Sequence, residues 1–236
     1  MSKEIGIIMA AGLGSRMHPV TKTIPKPLVK VFGKPLIETV IDGLLKRGVT
    51  EIYVIVGYLK ECFSGLCDKY PQITLITNPD YLVKNNISSI YAARNVLGKA
   101  NCFICEADLL ISDSSVFEKK LSSSCYYGQM MAGVSDDWIF ELKDGYISRV
   151  KKGGKDTYNM VGISYFTKKD SLILKEKIEE AYRQEQNSNL YWDEIVDLNL
   201  NELKLKIEPV EEGQIIEIDT VEELLAIDPN AGEQEC

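Results

Sequence analysis

Along the first half of the chain, short continuous apolar blocks alternate with segments whose apolar residues recur at helical spacing. Residues 5–9, 51–56, 73–77 and 102–106 are apolar runs of strand length and predict strands covered on both faces. Pro35 stands where a helix would take its first turn. Ile37, Val40, Ile41, Leu44 and Leu45 then repeat three and four apart, and Gly48 closes the segment. Residues 59–69 and 89–97 are further helix candidates. Strand alternating with helix predicts a mainly parallel sheet with helices on both faces. Beyond residue 125 the rhythm tightens. Residues 126–134, 138–143 and 146–150 predict closely spaced strands, with Asp144-Gly145 as a tight turn. A strand is expected at 161–166, a long and mostly solvated helix at 168–184, short strands at 204–209 and 215–218, and a last helix at 221–227. No linker, repeat or low-complexity stretch interrupts the pattern. One domain over 1–228, followed by a polar, frayed tail over 229–236, is the simplest organisation.

Composition narrows the partners. The 236 residues are 45% hydrophobic, enough for a sizeable core, and carry a formal net charge of −8 with no concentrated basic patch. Such a chain repels a phosphodiester backbone, so no nucleic-acid partner is expected. The longest apolar runs, 5–11 and 102–105, are too short to span a bilayer, and the first residues lack a secretory apolar segment. A cytoplasmic protein without a membrane partner, monomeric or homodimeric, is expected. Of the six cysteines, Cys102 and Cys105 have the spacing of half a metal or redox motif. They lie in a strand-like run where residues three apart face opposite ways, and the one histidine is His18. Buried, reduced thiols are the expectation.

The richest chemistry follows the first strand. Ala10-Ala11-Gly12-Leu13-Gly14-Ser15-Arg16 offers small residues where a backbone can approach a ligand closely, and such a loop points successive N–H groups at phosphate oxygens. Arg16 adds a fork of donors, and Lys26, between Pro25 and Pro27, adds a point charge. A Walker A loop needs Gly-Lys-Ser/Thr where Gly14-Ser15-Arg16 stands, and a dinucleotide fingerprint needs a glycine where Met17 stands. The extended string through Arg16, Pro19, Thr21, Pro25, Lys26 and Leu28 resembles the signature of the sugar-nucleotidyltransferase superfamily. The resemblance implies a Rossmann-like α/β fold, a mixed, mostly parallel sheet flanked by helices with a small β-rich acceptor-binding subregion. It also implies that residues 10–16 hold a nucleoside triphosphate, with Arg16 on the leaving pyrophosphate and Lys26 on the attacked α-phosphate.

Two acids leave the strand at 102–106. Open α/β sheets bind ligands at that edge, so Glu106 and Asp108 are placed for a nucleotide and its metal. Mg²⁺ takes one or two carboxylates and completes its shell with phosphate and water. The alternative is a solvated loop or a helix cap, although Ser112 and Asp113 are better placed to cap. Asp219 or Thr220 suits the N-cap of the last helix, while the resemblance makes Asp219 a second metal ligand beside Asp108. Glu217 is assigned to the other strand face and left out of the site.

For the acceptor, the segments 190–194, 137–138 and 85–91 mix aromatics with acids and amides. A quaternary ammonium offers no N–H, and is held by aromatic faces and carboxylates at roughly 0.5–2 kcal/mol per face; core packing is the competing role for both tryptophans. Over nearly its whole length the chain resembles LicC-type bacterial CTP:phosphocholine cytidylyltransferases, through Gly12–Arg16, Val56–Lys60, Asn85-Asn86 with Ser89 and Tyr91, Trp138, Leu190–Asp193 and Glu217–Asp219. That resemblance implies CTP and phosphocholine as substrates, Mg²⁺ as cofactor, Asn85, Asn86, Ser88 and Ser89 beside the cytidine, and Trp138, Tyr191, Trp192 and Asp193 around choline. One departure stands out: the family typically has Asp where Glu106 stands, and Glu-Ala-Asp is similar to cytidylyltransferases for 2-aminoethylphosphonate. That acceptor, phosphoethanolamine, or a sugar 1-phosphate are the alternatives. A non-catalytic nucleotide-sensing subunit is the alternative of another class.

Overall fold

A computed structural model describes residues 3–231 and Gln234. The first half contributes β1 (Glu4–Ala10), β2 (Lys30–Val31), β3 (Lys34–Pro35), α1 (Leu36–Arg47), β4 (Ile52–Val56), α2 (Ser64–Lys69), β5 (Ile73–Thr77), α3 (Ile87–Ala92), β6 (Asn101–Glu106) and β7 (Leu109–Ile111). The second half contributes β8 (Cys125–Lys143), β9 (Tyr146–Phe166), α4 (Lys168–Tyr182), α5 (Trp192–Leu198), β10 (Lys206–Val210), β11 (Ile215–Glu217) and α6 (Val221–Ile227). Among the described residues, seven strands form one sheet in the order β10-β8-β9-β6-β1-β4-β5. Four of its neighbouring pairs are parallel, and β9 is antiparallel to both β6 and β8. This is a mixed, mostly parallel, Rossmann-like α/β sheet.

Two apolar layers cover the sheet because its central strands alternate. On β1, Ile8 and Ala10 join the layer under α1, while Ile5 and Ile7 join the layer under α3, α4 and α5. On β6, Phe103 and Cys105 take the first side and Cys102 and Ile104 the second. Cys102 and Cys105 are therefore buried thiols on opposite faces, and burial pushes both above the ordinary thiol range. In α1, Ile37, Val40, Ile41 and Leu44 are fully buried, at roughly 1.5–3 kcal/mol each. Gly48 ends this helix in the left-handed region, its N–H reaching back to Leu45 and Leu44.

The structure departs from the predicted elements where local pattern and long-range pairing disagree. Residues 126–134 and 138–143 are one strand, β8, and 146–150 and 161–166 are one strand, β9. Bulges in and beside the stretches that separate them, 135–137 and the glycine-containing 151–160, bend the hairpin, so that Ile139 pairs with both Lys151 and Asn159. The helix expected at 59–69 is a 3₁₀ turn at Lys60–Phe63 followed by α2. The helix expected at 89–97 begins two residues earlier, as α3, and ends in a 3₁₀ turn at Ala93–Asn95. Strands β2, β3 and β7 and helix α5 were not anticipated; all four are short.

Part of the expected tail, Gly232, Glu233, Glu235 and Cys236, lies outside the described residues. Gln234 accepts from Lys30 N at 2.7 Å and donates to Lys30 O at 3.0 Å. Among the described residues no helix is long and apolar enough to cross a membrane.

Candidate active site

The carboxyl ends of β1 and β6, together with β11, converge on a cleft of about 430 Å³. The glycine loop enters it from β1. Ala11, Gly12 and Arg16 line the cleft, while Ala10, Leu13, Gly14 and Ser15 stand behind or beside it. Gly14 nevertheless shapes the site. Its φ is 61°, and a Cβ there would meet Lys26 Cβ at 2.9 Å and Thr21 Cγ2 at 3.2 Å. Glycine at this position thus lets the Lys26 segment pack directly on the loop.

Lys26 is 6% exposed and its ammonium joins two distant parts of the chain. Nζ donates to Asp108 Oδ2 at 2.5 Å and to Asp219 Oδ1 at 2.6 Å, and Arg16 Nη1 meets Asp219 Oδ2 at 2.7 Å. Burial alone would lower the Lys26 pKa, but the charges and hydrogen bonds of the two aspartates outweigh it and hold the ammonium above its usual value. Burial likewise opposes ionisation of Asp219, and Lys26 and Arg16 overcome it, keeping that carboxyl below its usual range. Arg16, Lys26, Asp108 and Asp219 are therefore one charged constellation. The last helix leaves Asp219 free for it: Thr220 is the N-cap of α6, paired in a capping box with Glu223.

A second group of acids stands beside this constellation. Glu106, Asp108 and Glu217 bring carboxylate oxygens within 4.8 Å of one another. Desolvation and the charge of Glu217 push Glu106 well above the carboxylate range. Desolvation and the charges of Asp108 and Asp219 push Glu217 up to about 8. Asp108 Oδ1 is buried without a hydrogen-bond partner. An orphaned carboxylate oxygen facing two neighbouring acids is costly unless a cation joins them, and an all-oxygen donor set suits Mg²⁺. The residues present fit such an ion. Both oxygens of Asp219, by contrast, are engaged by Lys26 and Arg16.

Glu217 lies on the cleft side with Asp219, not on the opposite face expected from the sequence. Residues two apart on a strand share a face, so Glu217 follows Asp219 into the cleft. The same-face rule was the signal that should have found it.

Asn85, Asn86, Ser88 and Ser89 line one wall, at the start of α3. Their side chains also bind the wall together. Asn78 Nδ2 donates to Ser88 Oγ at 2.8 Å, Asn85 Nδ2 to Asn189 O at 3.0 Å, and Asn86 Oδ1 accepts from Trp192 N at 2.9 Å. Tyr81 and Lys84, which carried no recognisable motif, line the same wall.

At the other end, β8, β9 and α5 supply Asp136, Asp137, Trp138, Lys152, Tyr191 and Asp193. The Trp138 and Tyr191 rings meet edge to face, 5.4 Å between centroids. Trp192 does not line this cleft. It is 3% exposed and packs on Tyr126 and Phe166, because α5 starts at Trp192 and turns its side chain into the core. Asp193 is buried, accepts from Tyr126 Oη at 2.9 Å, and is pushed up to about 7 by that burial.

The description "Nucleotidyl transferase" belongs to the family model that matches residues 5–137. A 2-aminoethylphosphonate cytidylyltransferase of Lancefieldella rimae is 52% identical over 96% of this chain and 92% of its own length. A choline-phosphate cytidylyltransferase of Streptococcus pneumoniae is 34% identical over 92% of this chain and 93% of its own. The structure of CTP:phosphocholine cytidylyltransferase from Streptococcus pneumoniae superposes with a TM-score of 0.88 at 32% identity, covering 96% of this chain and 98% of that one.

Proposed function

The chain belongs to the nucleotidyl transferase family, and from that premise we propose that it transfers cytidylyl from CTP to 2-aminoethylphosphonate. The observation that carries the transfer is Lys26, held by Asp108 and Asp219 directly beside Arg16. For the acceptor, the 52% relative favours 2-aminoethylphosphonate over the phosphocholine inferred from the Leu190–Asp193 run. The cleft agrees with the smaller ammonium. With Trp192 withdrawn into the core, the acceptor end offers two rings and two exposed carboxylates, Asp136 and Asp137, with the buried Asp193 behind them, a set that suits an ammonium that donates N–H bonds.

In this reading the Ala11-Gly12 backbone and Arg16 hold the triphosphate, and the Asn85–Ser89 wall faces the cytidine. Asp108, with Glu106 and Glu217, would hold a Mg²⁺, which would supply charge neutralisation for the phosphates. A phosphonate oxygen, ionised at neutral pH, bonds to the α-phosphorus as the bond from that phosphorus to the bridging β-oxygen breaks. Pyrophosphate departs on the Arg16 side. Lys26, dry and fixed, meets the charge that grows on the α-phosphoryl oxygens. No proton has to be removed from the nucleophile, so no general base is required, and catalysis is positioning plus charge neutralisation.

Pyrophosphate release measured for four nucleoside triphosphates against 2-aminoethylphosphonate, phosphoethanolamine, phosphocholine and glucose 1-phosphate tests the reading. The highest kcat/KM is expected for CTP with 2-aminoethylphosphonate. A higher value with phosphocholine would replace the acceptor, and release with no acceptor at all would overturn the proposal.

A further inference from the structure

Three cations line the cleft, and their partners differ. Arg16 is paired with Asp219, and Lys84 donates to Tyr182 O at 2.9 Å. Lys152, exposed on β9, has a side chain with neither an ion pair nor a hydrogen bond among the described residues. Its Nζ lies 5.5 Å from the Trp138 centroid and 5.5 Å from the Tyr191 centroid. The chain's own ammonium thus covers both rings that a substrate cation would use, within the range where the ring faces attract it.

Nearby carboxylates offer a separate place for N–H donors. Asp137 is steadied from below, its backbone N–H donating to Ser135 Oγ at 3.2 Å and its Oδ2 approached by Asn159 Nδ2 at 3.4 Å. Asp193 is fixed by Tyr126.

We infer that Lys152 is a specificity-determining residue that turns the acceptor end from quaternary toward primary ammonium groups; this rests on the acceptor reading above. A trimethylammonium has no N–H and depends on the ring faces, so it has to displace Lys152 or share the rings with a like charge. A primary ammonium bonds to Asp137 and Asp193 through its own hydrogens and leaves Lys152 in place. Lys152 thereby acts against the wrong ligand more than for the right one.

The test compares 2-aminoethylphosphonate with its N,N,N-trimethyl derivative, which differ at the ammonium alone. In Lys152→Met the kcat/KM ratio of trimethyl to primary substrate is expected to rise about tenfold, and Lys152→Arg to keep the wild-type ratio. An unchanged ratio in Lys152→Met overturns the inference. So does an equal loss for both acceptors, which would assign Lys152 to the phosphonate they share. A readout independent of turnover uses tetramethylammonium chloride and tryptophan fluorescence. The wild-type rings should bind it about tenfold more weakly than Lys152→Met, and equal binding also refutes the role. Absence of turnover with either acceptor by the wild-type protein would sink the acceptor reading instead, and the fluorescence titration still decides Lys152.

Discussion

The two ends of the cleft are built differently. The nucleotide end is made where β1, β6 and β11 stop, and its charged groups are locked: Lys26 is buried between Asp108 and Asp219, and Arg16 closes the network. The acceptor end is made from the bulged β8–β9 hairpin and the first turn of α5, and several of its groups, Asp136, Asp137 and Lys152 among them, are exposed. An end whose charges are tied together around the buried Lys26, with Arg16 reaching into solvent, suits chemistry common to a whole family. An exposed end on irregular strands can change its acceptor by substitution without disturbing that chemistry.

If this division holds, the largest effect belongs to Lys26. Lys26→Ala should lower kcat by about 10²–10³-fold, the scale on which removal of one preorganised charge donor acts, while far-ultraviolet circular dichroism keeps the native signal. Turnover near wild type would remove Lys26 from the reaction and break the comparison at its stronger end. Asp108→Asn comes next. Its Oδ1 is the buried oxygen without a partner, so the variant should need at least about tenfold more Mg²⁺ for half-maximal activity, the lower bound for perturbing a metal site. An unchanged Mg²⁺ dependence would move the ion away from Asp108.

The same division governs what could be read from the sequence. The central strands and α1 were legible because their apolar periodicity is also their burial. The loop through Arg16 and Lys26 was legible because few chemistries need glycines, a guanidinium and a proline-flanked lysine so close together. Lys152 was not legible. A plain hairpin closed by Asp144-Gly145 puts Lys151 opposite Trp138, but a bulge between Leu142–Ile147 and Glu141–Arg149 shifts the register by one and sets Lys152 there instead. Trp192 misled for a related reason. A local run of aromatics and acids looks like a cage, yet once a helix begins at residue 192 its neighbours point in different directions, Tyr191 into the cleft and Trp192 into the core.

Trp138→Ala sharpens the comparison from the acceptor side. Loss of one ring face should raise the acceptor KM by roughly 2–30-fold, corresponding to 0.5–2 kcal/mol, with the KM for CTP unchanged. Equal changes in both KM values would mean the ends are not separable.

The smallest effect tests whether the acceptor end carries a stability cost for its buried acid. An aspartate titrates at about 3.9 in an unfolded chain, and Asp193 is pushed up to about 7 in the fold. Below about pH 4 both states hold the proton and the residue contributes no pH dependence. Between those limits only the folded state keeps it, so stability falls as pH rises, and the loss is complete above the folded value. Asp193→Asn removes this titration while leaving an oxygen to accept from Tyr126. Glu106 and Glu217 titrate in both proteins, and Glu106 also feels the charge of Asp193, so the difference between them reports residue 193 together with that coupling. Between pH 5 and pH 8 the wild-type Tm should fall by a few degrees more than that of Asp193→Asn, at about 2–4 °C per kcal/mol in a chain of this size. Parallel Tm profiles would mean that Asp193 is ionised at neutral pH without cost.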